Sequence, residues 1–270
     1  MSIKISVITP TYNAVKSVEN AIWSVLVQDY DNNEHIIVDG ASTDGTIDIL
    51  KKYPHLKWIS EPDEGQADAM RKGFEMAAGD VIVYLNADDY FLAEAFSKVM
   101  PSFLSGAKFV VGDIVVEKDN EYFINVPRVD LEGMLRHWEM NAYSYNPVGY
   151  FYVKEVQEVV PINTANKNMM DLEFLLDAAT RFDFTKIKAL LGVYRCVEDT
   201  KTVQDQNNLH YWTENNFRLI DRYLPLMSEK YQRQYAKDRR KGYEMQRRWK
   251  MQSIGYDESQ IRAFERILSE

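Results

Sequence analysis

Val81-Ile82-Val83-Tyr84-Leu85-Asn86-Ala87-Asp88-Asp89 opens as an apolar, β-branched run and closes on two consecutive carboxylates. The run is too short for a buried helix and reads as a buried strand of a parallel sheet. In an open α/β sheet, ligands occupy the crevice beyond the carboxyl ends of the strands. Two carboxylates placed there can bring a hard divalent cation to a phosphate-bearing ligand. Taken alone, the pair fits an exposed Asp-Asp turn equally well, so the flanking sequence decides.

Upstream, Ile3 to Thr9 reads as a strand ended by Pro10. Asn13 is placed to cap a helix whose Val15, Val18, Ile22, Val25 and Leu26 recur at helical spacing. His35 to Asp39 is a second strand, followed by the loop Gly40-Ala41-Ser42-Thr43-Asp44-Gly45 and a short helix from Thr46. Lys57 to Ser60 is a third strand, and a helix from Gln66 to Ala78 ends at Gly79. Strands alternating with helices at this spacing predict a doubly wound α/β layer.

Downstream the pattern loosens. Leu92 to Leu104 reads as a helix, and Phe109 to Val116 as one strand or two joined by a bend, with Tyr122 to Val126 as its hairpin partner. A short helix is expected over Asp130 to Trp138, a helix over Leu172 to Ala179, and a strand over Ile187 to Val197. From Asn207 only helices are expected, apart from turns at Pro225 and Gly255. The aromatic segment Tyr143 to Tyr152 suits either stacking on a sugar ring or core packing.

The chain has 270 residues and a formal charge of −9, which argues against general nucleic-acid binding. Cys196 is the only cysteine, so no internal disulfide can form and a reducing compartment fits. The four histidines show no zinc-ligand spacing, and no apolar run approaches a membrane span. With no signal-peptide pattern, a cytoplasmic location is the expectation.

If the sheet is parallel, three segments open onto one crevice: Thr9-Pro10-Thr11-Tyr12-Asn13, Asp39, and Asn86-Ala87-Asp88-Asp89. A nucleotide needs such a set, with a wall and an acceptor for its base and a metal for its phosphates. The Gly40 to Gly45 loop is not a P-loop, and no Gly-x-Gly-x-x-Gly follows the first strand, which argues against a dinucleotide cofactor.

At these residues the chain resembles the inverting GT-A glycosyltransferases of family 2, bacterial surface-polysaccharide enzymes among them. The matching blocks are Ser6 to Asn13, Ile37 to Thr46, Ser60 to Ala69, and Gly79-Asp80 leading to Leu85-Asn86-Ala87-Asp88-Asp89. Order and spacing match through residue 90, with weaker similarity to residue 200. The resemblance implies a GT-A fold with a doubly wound mixed sheet over residues 1–205, the donor half at 1–90 and the acceptor half at 91–205. Residues 206–270 would then be a helical extension.

The resemblance also implies roles. Thr9, Pro10, Tyr12 and Asp39 belong to the nucleotide-binding set, with Tyr12 and Asp39 holding the base. Asp63 and Asp68 line the donor site, as does Arg71, although the family often has Asn there. Asn86-Ala87-Asp88 matches the family's Asp-x-Asp motif, with Asp88 as ligand to Mn²⁺ or Mg²⁺ and Asn86 leaving the metal one fewer anionic neighbour. Arg195 is placed to reach the diphosphate, while Val197 stands where the family often has His. Asp171 resembles the family's general base, though Met170 replaces the usual preceding Glu; as plain sequence, Asp171 is equally a helix N-cap. Glu173 is the fallback.

The implied reaction moves a sugar from a nucleotide-sugar, in the first place a UDP-sugar, to a hydroxyl of a glycan or lipid-linked saccharide. Two rivals are a sugar nucleotidyltransferase, which would show a basic glycine-rich loop after the first strand, and a non-catalytic binding module. The Lys230 to Lys250 stretch interleaves basic and aromatic residues. It suits peripheral contact with an anionic inner membrane face, a homodimer contact, or packing on the chain itself.

Overall fold

The computed structural model describes residues 2–136, 140–167, 169–196, 217–253 and 257–269. The chain divides into two compact units, Met1–Val197 and Glu198–Glu270. The larger unit is built on strands β1 (Ile5–Thr11), β2 (Asn33–Asp39), β3 (Lys57–Ser60), β4 (Val81–Tyr84), β5 (Tyr90–Phe91), β6 (Phe109–Lys118), β7 (Glu121–Asn125), β8 (Tyr150–Val153) and β9 (Phe184–Cys196). Its helices are α1 (Val18–Leu26), α2 (Thr46–Leu50), α3 (Gln66–Met76), α4 (Ala95–Leu104), α5 (Leu131–Leu135), α6 (Lys154–Val159) and α7 (Met170–Ala179).

One mixed sheet runs β3-β2-β1-β4-β8-β6-β9-β5, with β7 paired to β6. The β3-β2-β1-β4 half is parallel, so the ends of β1, β2 and β4 open in one direction, as the alternation of strands and helices requires. Successive strand residues face opposite sides. Val7 joins Ala21 and Val25 of α1 and Phe96 and Val99 of α4 in one core. Ile8 meets α3 on the other side, where a Cβ on Gly73 would lie 2.3 Å from Ile8 Cγ2. Only glycine permits that approach. On the same side Phe174 of α7 packs on Tyr152 at 5.0 Å.

Two expectations are corrected here, and one open choice is decided. β1 does not end at Pro10 but continues to Thr11, with Pro10 paired to Val38. The β1–β4 ladder stops at Ile8 and Tyr84, so the N–H that Pro10 lacks would have met no strand on that side. Asn13 caps no helix: α1 starts at Val18 with Ser17 as its N-cap, and Asn13 takes φ 48°. Of the two readings of the aromatic segment, Tyr150, Phe151 and Tyr152 take the core-packing one, buried within strand β8. The hairpin of β6 and β7 has the expected pairing, with a register shift in the β6–β9 ladder near Asp113.

The smaller unit contains α8 (Glu229–Ser253) and α9 (Glu258–Ser269). Tyr231 and Tyr235 are buried there, and Tyr235 and Arg239 both donate to Asp221 at 2.9 Å. Much of the amphipathic reading of this stretch rests on side chains at 241–243 and 245–250, which lie outside the described residues, as do Val197 and Gly255. No described helix is long and apolar enough to cross a membrane.

Candidate active site at the ends of the parallel strands

The loop after β1 and the loop after β2 are laced together by side chains accepting from backbone. Asn13 N donates to Ser42 Oγ at 2.7 Å, and Thr43 N donates to Asn13 Oδ1 at 3.0 Å. Ala14 N donates to Thr46 Oγ1 at 2.9 Å, and Val15 N to Asp44 Oδ2 at 2.9 Å. The left-handed turn at Asn13 lets the chain present these N–H groups sideways. The result is a fixed rim in place of two loose loops.

Asp39 lies under that rim with no exposed surface. It accepts from Ser42 N at 2.9 Å, from Ser42 Oγ, and from Ser60 Oγ at 2.7 Å. A carboxylate has about four acceptor positions, and these donors fill three. Above it Gly40 leaves a bare backbone: a Cβ there would lie 2.7 Å from Asp63 Oδ2 and 3.3 Å from the Tyr12 ring. Tyr12 is 68% exposed, a large ring standing free at the crevice. Asp63 is steadied by accepting from Gly65 N at 2.8 Å.

At the end of β4 the adjacent carboxylates have different surroundings. Asp89 is buried and accepts from Asn86 Nδ2 at 3.0 Å, Asn146 Nδ2 at 2.7 Å and Arg195 N at 2.9 Å. Burial, reinforced by the charge of Asp88, raises its pKa against those donors. Asp88 is only partly buried, and burial raises its pKa while the charge of Arg195 opposes the rise. Asn86 is fixed in turn by Gln66 Nε2, 2.8 Å from its Oδ1. So Asp89 braces the turn, and Asp88 is the more exposed carboxylate of the two.

Asp171 falls inside the first turn of α7, whose N-cap is Met169 with no side-chain cap bond. The N-cap reading of Asp171 is therefore not realised. Burial, then the charge of Asp171, raises the pKa of both Tyr143 and Tyr150. The segment carrying those tyrosines also carries Asn146, which holds Asp89, so one stretch of chain spans both acidic groups. Glu173 is buried and accepts from Asn163 Nδ2 at 3.1 Å and Asn166 Nδ2 at 2.6 Å. It anchors the loop before α7.

Other sequence candidates point elsewhere. Thr9 Oγ1 lies 2.8 Å from His35 Nε2 inside the sheet. Pro10 is a ladder residue, and Ala87 is buried in the core beside Ile37. Asp68 pairs with Arg71 at 2.8 Å, and Arg71 also reaches Glu75 at 2.6 Å, so these two meet along α3 itself. Arg195 Nε donates to Glu117 Oε2 at 3.0 Å. Sequence reasoning missed Ser42, Ser60, Gln66 and Asn146, of which Ser42, Ser60 and Gln66 lie within the matched blocks as polar residues without an assigned role. Among the described residues no group of three or more His, Cys, Asp or Glu is placed to hold a metal.

Residues 6–161 match the family model described as glycosyl transferase family 2. The chain is 40% identical over 100 residues to the putative teichuronic acid biosynthesis glycosyltransferase TuaG of Bacillus subtilis, covering 35% of this chain and 39% of that one. It is 35% identical over 121 residues to an uncharacterized glycosyltransferase of Rickettsia conorii, covering 44% of this chain and 20% of the relative. The chain thus matches well under half the length of these curated relatives. In structure it is similar to residues 1–349 of S. aureus TarS in complex with UDP-GlcNAc, with TM-score 0.68 and 17% identity, over 95% of this chain and 77% of that one. It is also similar to the mannosyltransferase PcManGT of Pyrobaculum calidifontis in complex with GDP-Man and Mn²⁺, with TM-score 0.62 and 19% identity, over 82% and 65% of the two chains. The fold is GT-A, as the resemblance implied, and with more than half its length matched by the family model, the chain belongs to glycosyl transferase family 2.

Proposed function

We propose that the protein transfers a sugar from a nucleotide-sugar, in the first place a UDP-sugar, to a hydroxyl of a glycan or lipid-linked saccharide in surface-polysaccharide synthesis, with inversion. The observation that carries this reading is the division of labour at Asp88-Asp89. Asp89 is consumed by three protein donors, whereas Asp88 beside it is only partly buried, and Tyr12, Gly40 and Asp63 meet at the ends of the neighbouring strands. The family membership and the nucleotide-sugar complexes of its structural neighbours support the same reading.

Tyr12 stacks on the base, Asp63 and the remaining acceptor position of Asp39 take its N–H groups, and Gly40, with no side chain, lets Asp63 and Tyr12 close in beside each other. The residues present fit a divalent cation. A half-buried carboxylate whose charge is disfavoured by burial gains from a cation, and Mg²⁺-like ions are held by one or two carboxylates plus substrate phosphates. Asp88 would hold Mn²⁺ or Mg²⁺, with Asn86 beside it. When bound, such an ion acts as a Lewis acid on the diphosphate leaving group. Asp171 takes the proton from the acceptor hydroxyl as that oxygen attacks the anomeric carbon from the face opposite the diphosphate. The site of action is the cytoplasm, at the inner membrane face where the acceptor is lipid-linked.

Melting temperature measured with UDP, UDP-N-acetylglucosamine and GDP-mannose, each with and without Mn²⁺, tests the donor site. A ligand bound only by the folded state must raise it. A rise with UDP that requires Mn²⁺ and is lost in Asp88→Ala is expected. No response to any nucleotide from folded protein would overturn the reading.

A further inference from the structure

We propose that a cavity in the larger unit, beside the Asp88-Asp89 turn, binds an uncharged sugar ring of the acceptor, at a distance from the hydroxyl that reacts. The cavity measures about 500 Å³ and is lined by Asn20, Trp23, Tyr90, Glu117, Tyr122 and Arg195. That size lies within the range of small-ligand sites. It adjoins the turn directly: Tyr90 follows Asp89 in the chain, and Arg195 N is bonded to Asp89.

The chemistry of the lining selects the ligand. Trp23 is 50% exposed and Tyr122 66% exposed, so two large rings stand open at the cavity. Water leaves such faces readily, and the C–H face of a pyranose is a flat apolar partner for them. Trp23 is not loose. Its ring meets Tyr53 edge-on at 6.3 Å, and Tyr53 is itself held by donating to Glu19 at 2.7 Å. A ring fixed beforehand loses little entropy on binding.

The same cavity is lined by Glu117 and Arg195, joined at 3.0 Å and each less than one-third exposed. The pair supplies acceptors and donors side by side with no net charge, and the Asn20 amide adds one of each. A phosphate or uronate at this place would meet the Glu117 carboxylate. A neutral polyol meets hydroxyl partners of both kinds. The diphosphate therefore belongs at Asp88, where Arg195 contributes through its field, and the sugar belongs here.

The role as acceptor subsite rests on the transferase reading, whereas the sugar affinity itself does not. Saturation-transfer NMR on the full chain, with cellobiose, maltose and N,N′-diacetylchitobiose as probes, tests it. At least one of these should receive saturation that persists under saturating UDP and Mn²⁺. Trp23→Ala and Tyr122→Ala should each weaken that binding by about tenfold or more. Both side chains are exposed, and unchanged melting temperatures check the fold; Tyr122→Ala carries the test alone if Trp23→Ala fails to fold. No signal from all three sugars, a signal abolished by UDP, or one unchanged in both variants would overturn the proposal. So would stronger binding of a glucuronate-bearing disaccharide. A wild type that binds sugar yet never responds to UDP would sink the transferase reading and leave the subsite standing.

Discussion

Between Ile5 and Tyr84 the four strands pair with one another in parallel, and the crevice is shaped by loops adjacent in space because their strands are. Between Tyr90 and Cys196 the chain doubles back through β7 and β8, and polar side chains reach across it. In the first half Asn13, Ser42 and Asp39 lie within thirty residues of one another and fix a rim. In the second, Asn146 holds Asp89 across 57 positions and Arg195 holds it across 106. A parallel layer builds its rim from the loops that leave its strands. The returning half can only place a group by tying it to something distant.

The sharpest way to break this contrast is at Asp88 and Asp89, where the halves meet. Asp88→Asn should lower turnover of the preferred donor by about a thousandfold or more, with an unchanged melting temperature, because it removes charge from the leaving-group side. Asp89→Ala should do the reverse kind of damage. It strands the Asn86 and Asn146 amides and the Arg195 N–H, and should cost about 2–4 kcal/mol in urea unfolding. If Asp89→Ala is stable while Asp88→Asn unfolds, the division of labour is wrong.

Asp171→Asn sharpens the contrast from the returning half. It should slow transfer by about 10²–10⁴-fold, the usual yield of a general base, while the UDP-dependent rise in melting temperature stays as in wild type. Glu173→Gln should leave turnover closer to wild type and lower stability, since its carboxylate is spent on Asn163 and Asn166. A variant pair that behaved the other way round would make Glu173 the base.

The first half was legible because local pattern and topology coincide there. Val81 to Tyr84, His35 to Asp39 and Lys57 to Ser60 announce strands by apolar runs, and parallel pairing then collects their ends without further information. Asn13 was misread because a cap and a left-handed turn favour the same residue type, and only the Ser42 and Thr43 contacts separate them. β5 has only two residues, and β8 lies inside an aromatic run that reads equally as core or as a sugar-stacking surface. The bracing of Asp89 and the pairing of Arg195 with Glu117, 78 positions apart, have no local signature at all. The candidate site was readable where neighbours in sequence meet in space.

The smallest expected effect near neutral pH tests whether the parallel half also sets acid stability. His35 is fully buried in β2, and burial, then the charge of His55, lowers its pKa from 6.5 to about 3. The unfolded chain therefore binds a proton that the folded one refuses between those values, so stability falls as pH drops below 6.5. Next to it, burial raises the pKa of Glu34, but bonds from Lys4, Lys57, Ser6 and the Ala78 N–H outweigh that and hold it at about 2, below its usual 4.5. Its contribution is complete above 4.5 and is lost as pH falls toward 2. One proton per pH unit is worth up to about 1.4 kcal/mol, so the slope should double near pH 4.5, where the second group joins the first. Urea midpoints at pH 7, 5.5 and 4 measure the slope, and amide exchange at pH 5 locates it. Protection should fail first in β1 and β2 and last in β8, whose buried polar groups are tyrosine hydroxyls that stay neutral throughout this range. A flat profile down to pH 5 would mean that His35 accepts a proton in the folded chain and that the sheet around it opens locally to let it.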